Sequence, residues 1–147
     1  MTDLTARLHL PLMAAGQAQK EVTHNEALLL IDSLVAPRCE APPQNQPPSV
    51  PAEGLCWLVG PAPGGAWTGQ SHRLASWTAA GWRFAEMPIG ARVTLAGGGT
   101  SWSRISTGWQ VAPTVAAPSG GGVADVECRS AVSAIISALV AAGLLAA

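Results

Sequence analysis

The first apolar pattern along the chain is helical and lies within its first 36 residues. Its apolar positions recur at helical spacing: Ala27, Leu28, Ile31, Leu34 and Val35. This spacing predicts a helix with a wide apolar face, which needs more than one packing partner. The helix has two candidate beginnings, the polar run 16–22 and a capping box formed by Thr23 and Glu26. Pro37 ends the pattern.

Between residues 54 and 112 the pattern changes to short apolar runs separated by glycine-rich turns. The expected strands cover these runs: 55–59, 66–69, 74–77, 81–84, 91–95, the run around Trp102, and 108–111. Short strands spaced at about 8–12 residues are typical of a small antiparallel sheet or barrel. Two stretches, 77–84 and 102–111, repeat a Trp strand, a polar turn ending in Gly and a second Trp strand. This repeat predicts two related hairpins.

The last stretch, residues 123–147, again has a helical pattern. Asp125 and Glu127 stand in its first turn, where acidic side chains interact favourably with the helix dipole. An apolar seam follows at alternating spacings of four and three, and its central members are expected to mediate oligomerisation: Val132, Ile135, Leu139 and Ala142. The uncharged part would form about 27 Å of helix, just long enough to span a membrane. Its alanines and serines favour a protein–protein element over a membrane anchor.

These patterns divide the chain into five segments: an N-terminal helical segment (1–36), a Pro-rich linker (37–53), a Trp-rich β domain (54–112), a second linker (113–122) and a C-terminal helix (123–147). The first linker is expected to be extended and semi-rigid, and the second is rich in Ala, Pro, Ser and Gly. The predicted fold class is α+β, with an N-terminal helix, a small Trp-rich antiparallel β domain of hairpins and a C-terminal oligomerising helix.

Composition adds an expectation about assembly. Hydrophobic residues make up 48% of the chain and charged residues only 12%, about half the usual charged share. We therefore expect much of the surface to be buried against other subunits. The net charge of -1 and the absence of a basic run argue against a nucleic-acid partner. The first residues lack an apolar run, so we expect no secretory signal and assembly in the bacterial cytoplasm.

Candidate catalytic chemistry is weak, and we predict that the protein is not an enzyme. His24 and Glu26 stand two positions apart, so a helix directs them to different sides. His9 and His72 have no metal-ligand spacing. The three cysteines (Cys39, Cys56 and Cys128) also lack metal spacing and are expected to be reduced structural thiols. We expect no catalytic residue, no metal and no cofactor.

The tryptophans leave two interpretations open. The chain has six Trp and no Tyr, and Trp serves in hairpin cores as well as in platforms on which sugar rings stack. If such a platform exists, paired Trp side chains on the hairpins would present parallel faces and neighbouring arginines would bind hydroxyl groups. The candidate glycan-binding residues are Trp77, Trp82, Trp102 and Trp109, with Arg83 and Arg104.

A distinctive run occupies residues 10–28, LPLMAAGQAQKEVTHNEAL. It resembles the opening signature of an uncharacterised family found in bacterial prophages and gene transfer agents, whose members occur in tail fibres and head spikes. The resemblance extends over about residues 4–112 through the motifs PAEG (51–54), GAWTG (65–69) and GWRF (81–84). The segment 125–145 is similar to the short helical tails of the gene-transfer-agent members.

This resemblance implies a structural protein of a phage-like particle, the base of the head spike, located on the virion surface. Its implied partners are a capsid vertex protein, a spike fibre protein and capsular polysaccharide, with neither nucleic acid nor membrane. A homo-oligomer is expected, with five copies favoured by the vertex and three as the alternative. A carbohydrate-binding module of a tail fibre is the competing function, and an accessory of a lytic or depolymerising enzyme a third. The expected virion-attachment residues are Gln17, Gln19, Lys20, Thr23, His24, Asn25 and Glu26.

Overall fold

The computed structural model describes residues 3–16, 20–122 and 125–146. Within them the elements are α1 (Lys20–Leu34), β1 (Arg38–Cys39), β2 (Cys56–Leu58), a 3₁₀ helix (Gly65–Trp67), β3 (Leu74–Thr78), β4 (Gly81–Ala85), β5 (Arg92–Leu95), β6 (Ser101–Ile105), β7 (Gly108–Val111) and α2 (Val126–Ala141). A helix thus precedes a set of mostly antiparallel strands and a second helix follows it. The predicted α+β class is confirmed.

The strands form two sheets. Antiparallel β2, β3 and β4 make a three-stranded sheet, and the second has the order β1-β5-β6-β7. The two predicted hairpins are confirmed as β3–β4 and β6–β7, but they lie in different sheets. Their registers also differ, because Trp77 stands opposite Trp82 whereas Trp109 stands opposite Arg104. Both turns have two residues between their last paired positions, but Trp102 lies two positions farther from its turn than Trp77 does, so Trp102 does not stand opposite Trp109.

The prediction that residues 37–53 form a linker is wrong. Their first part forms β1, which pairs in parallel with β5, and Cys39 in it is completely buried. Glu40 and Gln44 then donate their N–H groups to carbonyls of β2 at 2.9 and 3.0 Å. The prolines of this stretch lack N–H groups, but the residues between them supply the donors that hold the chain against the sheet. The β domain therefore begins with β1.

The strand predicted at 66–69 is also wrong. The 3₁₀ helix (Gly65–Trp67) occupies this position, and it begins at a glycine with a positive φ of 58°. A residue with that backbone angle turns the chain instead of extending it. The turn directs the completely buried Trp67 into the core.

The core has two parts, on opposite sides of β2. Alternate side chains of a strand point to opposite faces, so Cys56 and Leu58 pack on one side and Trp57 on the other. The first cluster consists of Cys39, Cys56, Leu58, Leu74, Ala85, Met87 and Val93, and the second of Trp57, Val59, Trp67 and Ala75. Because both faces of β2 are covered, all three of its residues are buried.

Helix α1 begins at Lys20, so the first of the two predicted beginnings is confirmed. The capping box at Thr23 is wrong, because Thr23 lies inside the helix. The carboxylate of Glu21, in the first turn, accepts a hydrogen bond from the N–H group of Gly16 at 3.3 Å. An acid in this position satisfies a backbone donor just before the helix.

Helix α2 is shorter at both ends than the predicted segment 123–147. The side chain of Asp125 caps its start by accepting from the N–H group of Cys128 at 2.8 Å. Its end has the paired bonds of a Schellman motif, from Gly143 and Leu144 back to the last turn. Ala142, predicted to lie in the helical seam, is therefore the C-cap residue. Among the described residues, no helix is long and apolar enough to cross a membrane.

Candidate functional site

A buried carboxylate attaches the N-terminal turn to α1. Asp32 is only 4% exposed, and it accepts hydrogen bonds from the hydroxyl of Thr5 (2.7 Å) and the N–H groups of Arg7 (3.1 Å) and Leu8 (2.6 Å). Two hydrogen bonds close the turn on itself. The N–H group of Thr5 donates to the Leu10 carbonyl, and the N–H group of Leu10 donates to the Thr5 hydroxyl, each at 2.9 Å. Sequence reasoning missed Asp32, since nothing local distinguishes it from a solvated acidic residue.

Arg7 caps the C-terminal end of the same helix, next to Asp32. Its guanidinium donates to the carbonyl oxygens of Asp32 (2.8 Å), Ser33 (3.2 Å) and Ala36 (2.9 Å). The last turn of α1 contains no basic residue of its own. Cations and donors at this position satisfy the free carbonyls and the negative end of the helix dipole, so the N-terminal turn supplies what the helix lacks.

The N-terminal turn also rests on the glycine of the PAEG motif. Gly54 has a φ of +81°, and a Cβ atom there would stand 2.7 Å from the Cβ of Ala6. Real Cβ atoms do not approach so closely. Glycine is therefore needed for the backbone angle and for the contact. The turn, α1 and the start of β2 consequently form one packed unit.

Two predicted attachment residues act within the chain itself. The Asn25 side-chain oxygen accepts from the N–H group of Met13 at 2.9 Å, and its amide donates to the Met13 carbonyl at 3.0 Å. Glu26 forms an ion pair with Arg83 of β4 at 3.6 Å. These side chains hold the segment before α1 against the helix, and the helix against the sheet.

The remaining attachment candidates lie elsewhere. Lys20, Thr23 and His24 are exposed, whereas Gln17 and Gln19 fall outside the described residues. Spacings of three and four residues place the exposed candidates on one side of the helix. We call this side the outer face of α1, and it consists of Lys20, Thr23, His24, Ala27, Ile31, Leu34 and Val35. Its C-terminal half exposes large apolar side chains.

Trp82 is the centre of an aromatic cluster. It makes edge-to-face contacts with Trp57, Trp67 and Trp77, with ring centroids 5.4, 5.2 and 5.0 Å apart. The rings of Trp77 and Trp82 cross at 68°, so they do not present the parallel faces expected of a sugar platform. This packing is the arrangement that aromatic side chains favour in cores, although both rings remain half-buried.

The other candidate tryptophans lie in the second sheet. Trp102 and Trp109 pack against the first core cluster, and their ring nitrogens are enclosed without a hydrogen-bond partner among the described residues. The arginines serve local purposes: Arg104 donates to the carbonyls of Ile105 and Gly108 across the β6–β7 turn. Arg83 pairs with α1. The six candidates therefore do not form one glycan site.

The predicted oligomerisation seam is open to solvent. No residue of α2 is buried, and Ile135 is 58% exposed. Val132 and Ala142 are also exposed, and Leu139 is half-buried. The second linker contacts the first turns of α2, where Arg129 donates to the carbonyls of Pro118 and Gly120 and where Pro118 lines a groove with Val132. Within the described part of the chain, the middle of the seam at Ile135 stays largely open to solvent.

The thiols and potential metal ligands complete the candidate chemistry. Burial raises the pKa of Cys39 and of Cys56 from 9.0 to about 11, which keeps both thiols protonated. Cys128 is an exposed free thiol. Across residues 3–16, 20–122 and 125–146, no three histidine, cysteine or acidic side chains come together as metal ligands.

Comparison with known protein families matches most of the two-sheet region. Residues 24–110, more than half of the chain, match DUF2793, a family described as proteins of unknown function. The chain belongs to the DUF2793 family. The matched region of this DUF2793 protein begins inside α1 and ends in β7, so it contains both sheets and excludes α2. No curated protein matches the sequence.

Proposed function

We propose that this DUF2793 protein is a non-enzymatic structural component of a phage-like particle, a gene transfer agent. In this role it is the base of the head spike, bound to the capsid vertex, and it carries a fibre and aids adsorption to cell-surface polysaccharide. One observation carries the proposal: a packed β domain is flanked by two helices whose outward apolar side chains stay exposed in the part of the chain that the structure describes. The resemblance of residues 10–28 to spike and fibre proteins connects this architecture with a virion.

The exposed seam of α2 supports self-assembly. A solitary helix of this length is marginal in water, and full burial of a large aliphatic side chain contributes about 1.5–3 kcal/mol. Covering Ile135 and Leu139 in each copy is therefore a substantial gain. The seam contains no charged residue, so identical copies can meet around a symmetry axis without repulsion between like charges. A pentamer matches a five-fold vertex, and a trimer remains the alternative.

The outer face of α1 is the proposed contact with the capsid vertex. It combines exposed polar side chains at its start with exposed Ile31, Leu34 and Val35 at its end. An apolar area bordered by polar groups is typical of a protein–protein contact. Asn25 and Glu26 support this contact indirectly, because they hold α1 in place. Thr23 and His24 are free to touch the partner directly.

Glycan binding by a tail-fibre module is the second candidate function. It is favoured by the half-buried rings of Trp77 and Trp82, which leave part of their surface open. The crossed rings fit an edge contact with a sugar better than stacking on a flat platform. A glycan array with the wild-type chain and with Trp77→Ala separates the two functions. A module that uses these rings binds weakly with a gain from avidity and loses its binding in the variant, whereas a spike base does not depend on these rings.

Light scattering of the isolated chain tests self-assembly. At micromolar concentration we expect a mass several times the 15.0 kDa of one chain. Replacing Ile135 and Leu139 by Asp places charges in the seam and should reduce the mass to that of one chain. Replacing Ser130 and Ser137 by Asp is the matched control, since it adds the same two charges at exposed positions on the opposite side of α2. A wild-type monomer, or an assembly unchanged in the double variant, would count against the proposal.

Incorporation into particles tests the vertex contact. Replacing Thr23 and His24 by Ala should leave the protein folded, because both side chains are exposed, and should strongly reduce its amount in purified particles. Lys20→Ala tests whether the N-terminal end of the same face also contributes to incorporation. Normal incorporation of the Thr23 and His24 variant would show that the protein does not attach through this face.

A further inference from the structure

The outer side of the four-stranded sheet carries a row of polar side chains. Arg92 stands directly opposite Ser103, and Ser103 directly opposite Gln110, so the three residues cross β5, β6 and β7 in register. The next residue of β5, Val93, is completely buried in the core. Because side chains alternate along a strand, the row points away from the core. It presents a guanidinium, a hydroxyl and an amide in line.

This row forms one wall of a groove. The groove has a volume of about 200 Å³, and its opposite wall is made by the apolar side chains of Pro113 and Leu144. The Ser101 hydroxyl donates to the carbonyl oxygen of Gly143 at 2.5 Å, and the N–H group of Ala146 donates to the Pro113 carbonyl at 2.8 Å. These bonds hold residues 143–146 against the sheet, so the separation of the two walls is determined by the fold.

Arg92 is available for a ligand. Within the described part of the chain, no carboxylate lies within ion-pair distance of its guanidinium, and the residue is exposed. A second groove of about 210 Å³ shares Arg92 and continues past Gly98 and Gly99. A guanidinium binds carboxylates through two parallel hydrogen bonds. The charged group at the junction of the two grooves therefore selects an anionic ligand.

We propose that this groove binds the acidic sugar units of a polysaccharide, with the carboxylate of a uronic acid on Arg92. Ser103 and Gln110 then bind ring hydroxyls, and the C–H face of the sugar packs on Leu144. Ligand pockets for larger molecules occupy roughly 300–1,000 Å³, so the smaller groove takes one ring at a time. The inference rests on the adhesion role proposed above and assigns that role to a surface separate from the aromatic cluster around Trp82.

A peptide is a poorer occupant. Peptides that bind to sheets usually add a strand at an edge, with main-chain hydrogen bonds along the strand direction. The polar row instead runs across the strands in the middle of the face, and its partners are side chains. A sugar ring, with hydroxyl groups at its edge and a C–H face, matches one polar and one apolar wall.

Ligand-observed saturation-transfer NMR with the full chain tests the site. The probes are a glucuronate oligosaccharide, the matching glucose oligosaccharide and cyclohexanecarboxylate. We expect saturation transfer to the first, at least tenfold weaker binding to the neutral sugar, and an at least tenfold loss for Arg92→Gln. Arg73→Gln, which removes an arginine just before β3 of the three-stranded sheet, is the control and should bind as the wild type does. Circular dichroism of both variants verifies that the fold is retained.

Three results would overturn the inference: equal binding of the charged and neutral oligosaccharides, binding unaffected by Arg92→Gln, or cyclohexanecarboxylate binding as tightly as the sugar. The last result would show that the groove recognises a carboxylate on any apolar body. Incorporation of Arg92→Gln into particles distinguishes failure of the sugar-binding inference from failure of the proposed structural role. Incorporation depends on the outer face of α1, so it should be normal for this variant.

Discussion

Removing the carboxylate of Asp32 should detach the N-terminal turn from α1. Asp32→Ala withdraws the acceptor from three donors, the Thr5 hydroxyl and the N–H groups of Arg7 and Leu8, at 2.7, 3.1 and 2.6 Å. Hydrogen bonds to a charged group contribute about 1.5–3 kcal/mol each. The turn can leave the helix and return its donors to water, so the loss is limited to the free energy of docking. We expect the free energy of unfolding to fall by about 3 kcal/mol.

Hydrogen exchange and urea unfolding together measure this change. The N–H groups of Leu8 and Leu10 should lose protection in Asp32→Ala, whereas those of β3 and β6 should keep it. Asp32→Asn is the matched control: it retains one side-chain oxygen as an acceptor and should lose roughly half as much stability. If the Leu8 amide stays protected in Asp32→Ala, or if the two variants are equally stable, the carboxylate does not hold the turn.

Further predictions concern the backbone and the thiols. Gly54→Ala should lower the free energy of unfolding by about 2 kcal/mol or more. Gly69 is the control position, because it has a similar φ of +80° but open space around it. A smaller loss of thermal stability for Gly69→Ala would show how much of the Gly54→Ala loss comes from the clash with Ala6. The pKa values of Cys39 and Cys56 are raised by burial, so the unfolded thiols ionise before the folded ones. Their contribution to stability should be constant below about pH 9 and fall between about pH 9 and 11; a rise in stability in that window would contradict this. Iodoacetamide should label the exposed Cys128 first, as mass spectrometry would show.

The local patterns of the sequence predicted the local elements well. The alternation of 91–95 corresponds to β5, and the run 108–111 to β7. Helix periodicity located α1 and α2, because a repeat of three to four residues is a property of the element itself. The two Trp hairpins were also predictable, since a short turn brings neighbouring strands together without help from the rest of the chain.

Long-range features could not be derived in this way. The parallel pairing of β1 with β5 joins Cys39 to Leu95, and a two-residue strand in a Pro-rich stretch has no pattern of its own. The role of Asp32 depends on donors 24 to 27 positions earlier in the chain. Both hairpins look alike in sequence, so their division between two sheets became evident only from the packed structure.

The candidate site was predictable in part. The polar signature indicated that residues near Asn25 have special roles, but it did not distinguish side chains that hold the protein together from those that face outward. The tryptophans raised the same difficulty, because Trp82 is equally suitable for a core and a sugar surface. The row of Arg92, Ser103 and Gln110 could not be predicted from the sequence, because its members lie on three separate strands and are neighbours only through the strand register.

Cryo-electron microscopy of particles purified from the organism that carries the gene tests the central claim most directly. The proposed function predicts density for the two sheets at the capsid vertices, with copies related by symmetry, the outer face of α1 toward the capsid and the α2 seams in contact with one another. Density on the tail, or absence of the chain from purified particles, would contradict the assignment of the protein as the head-spike base.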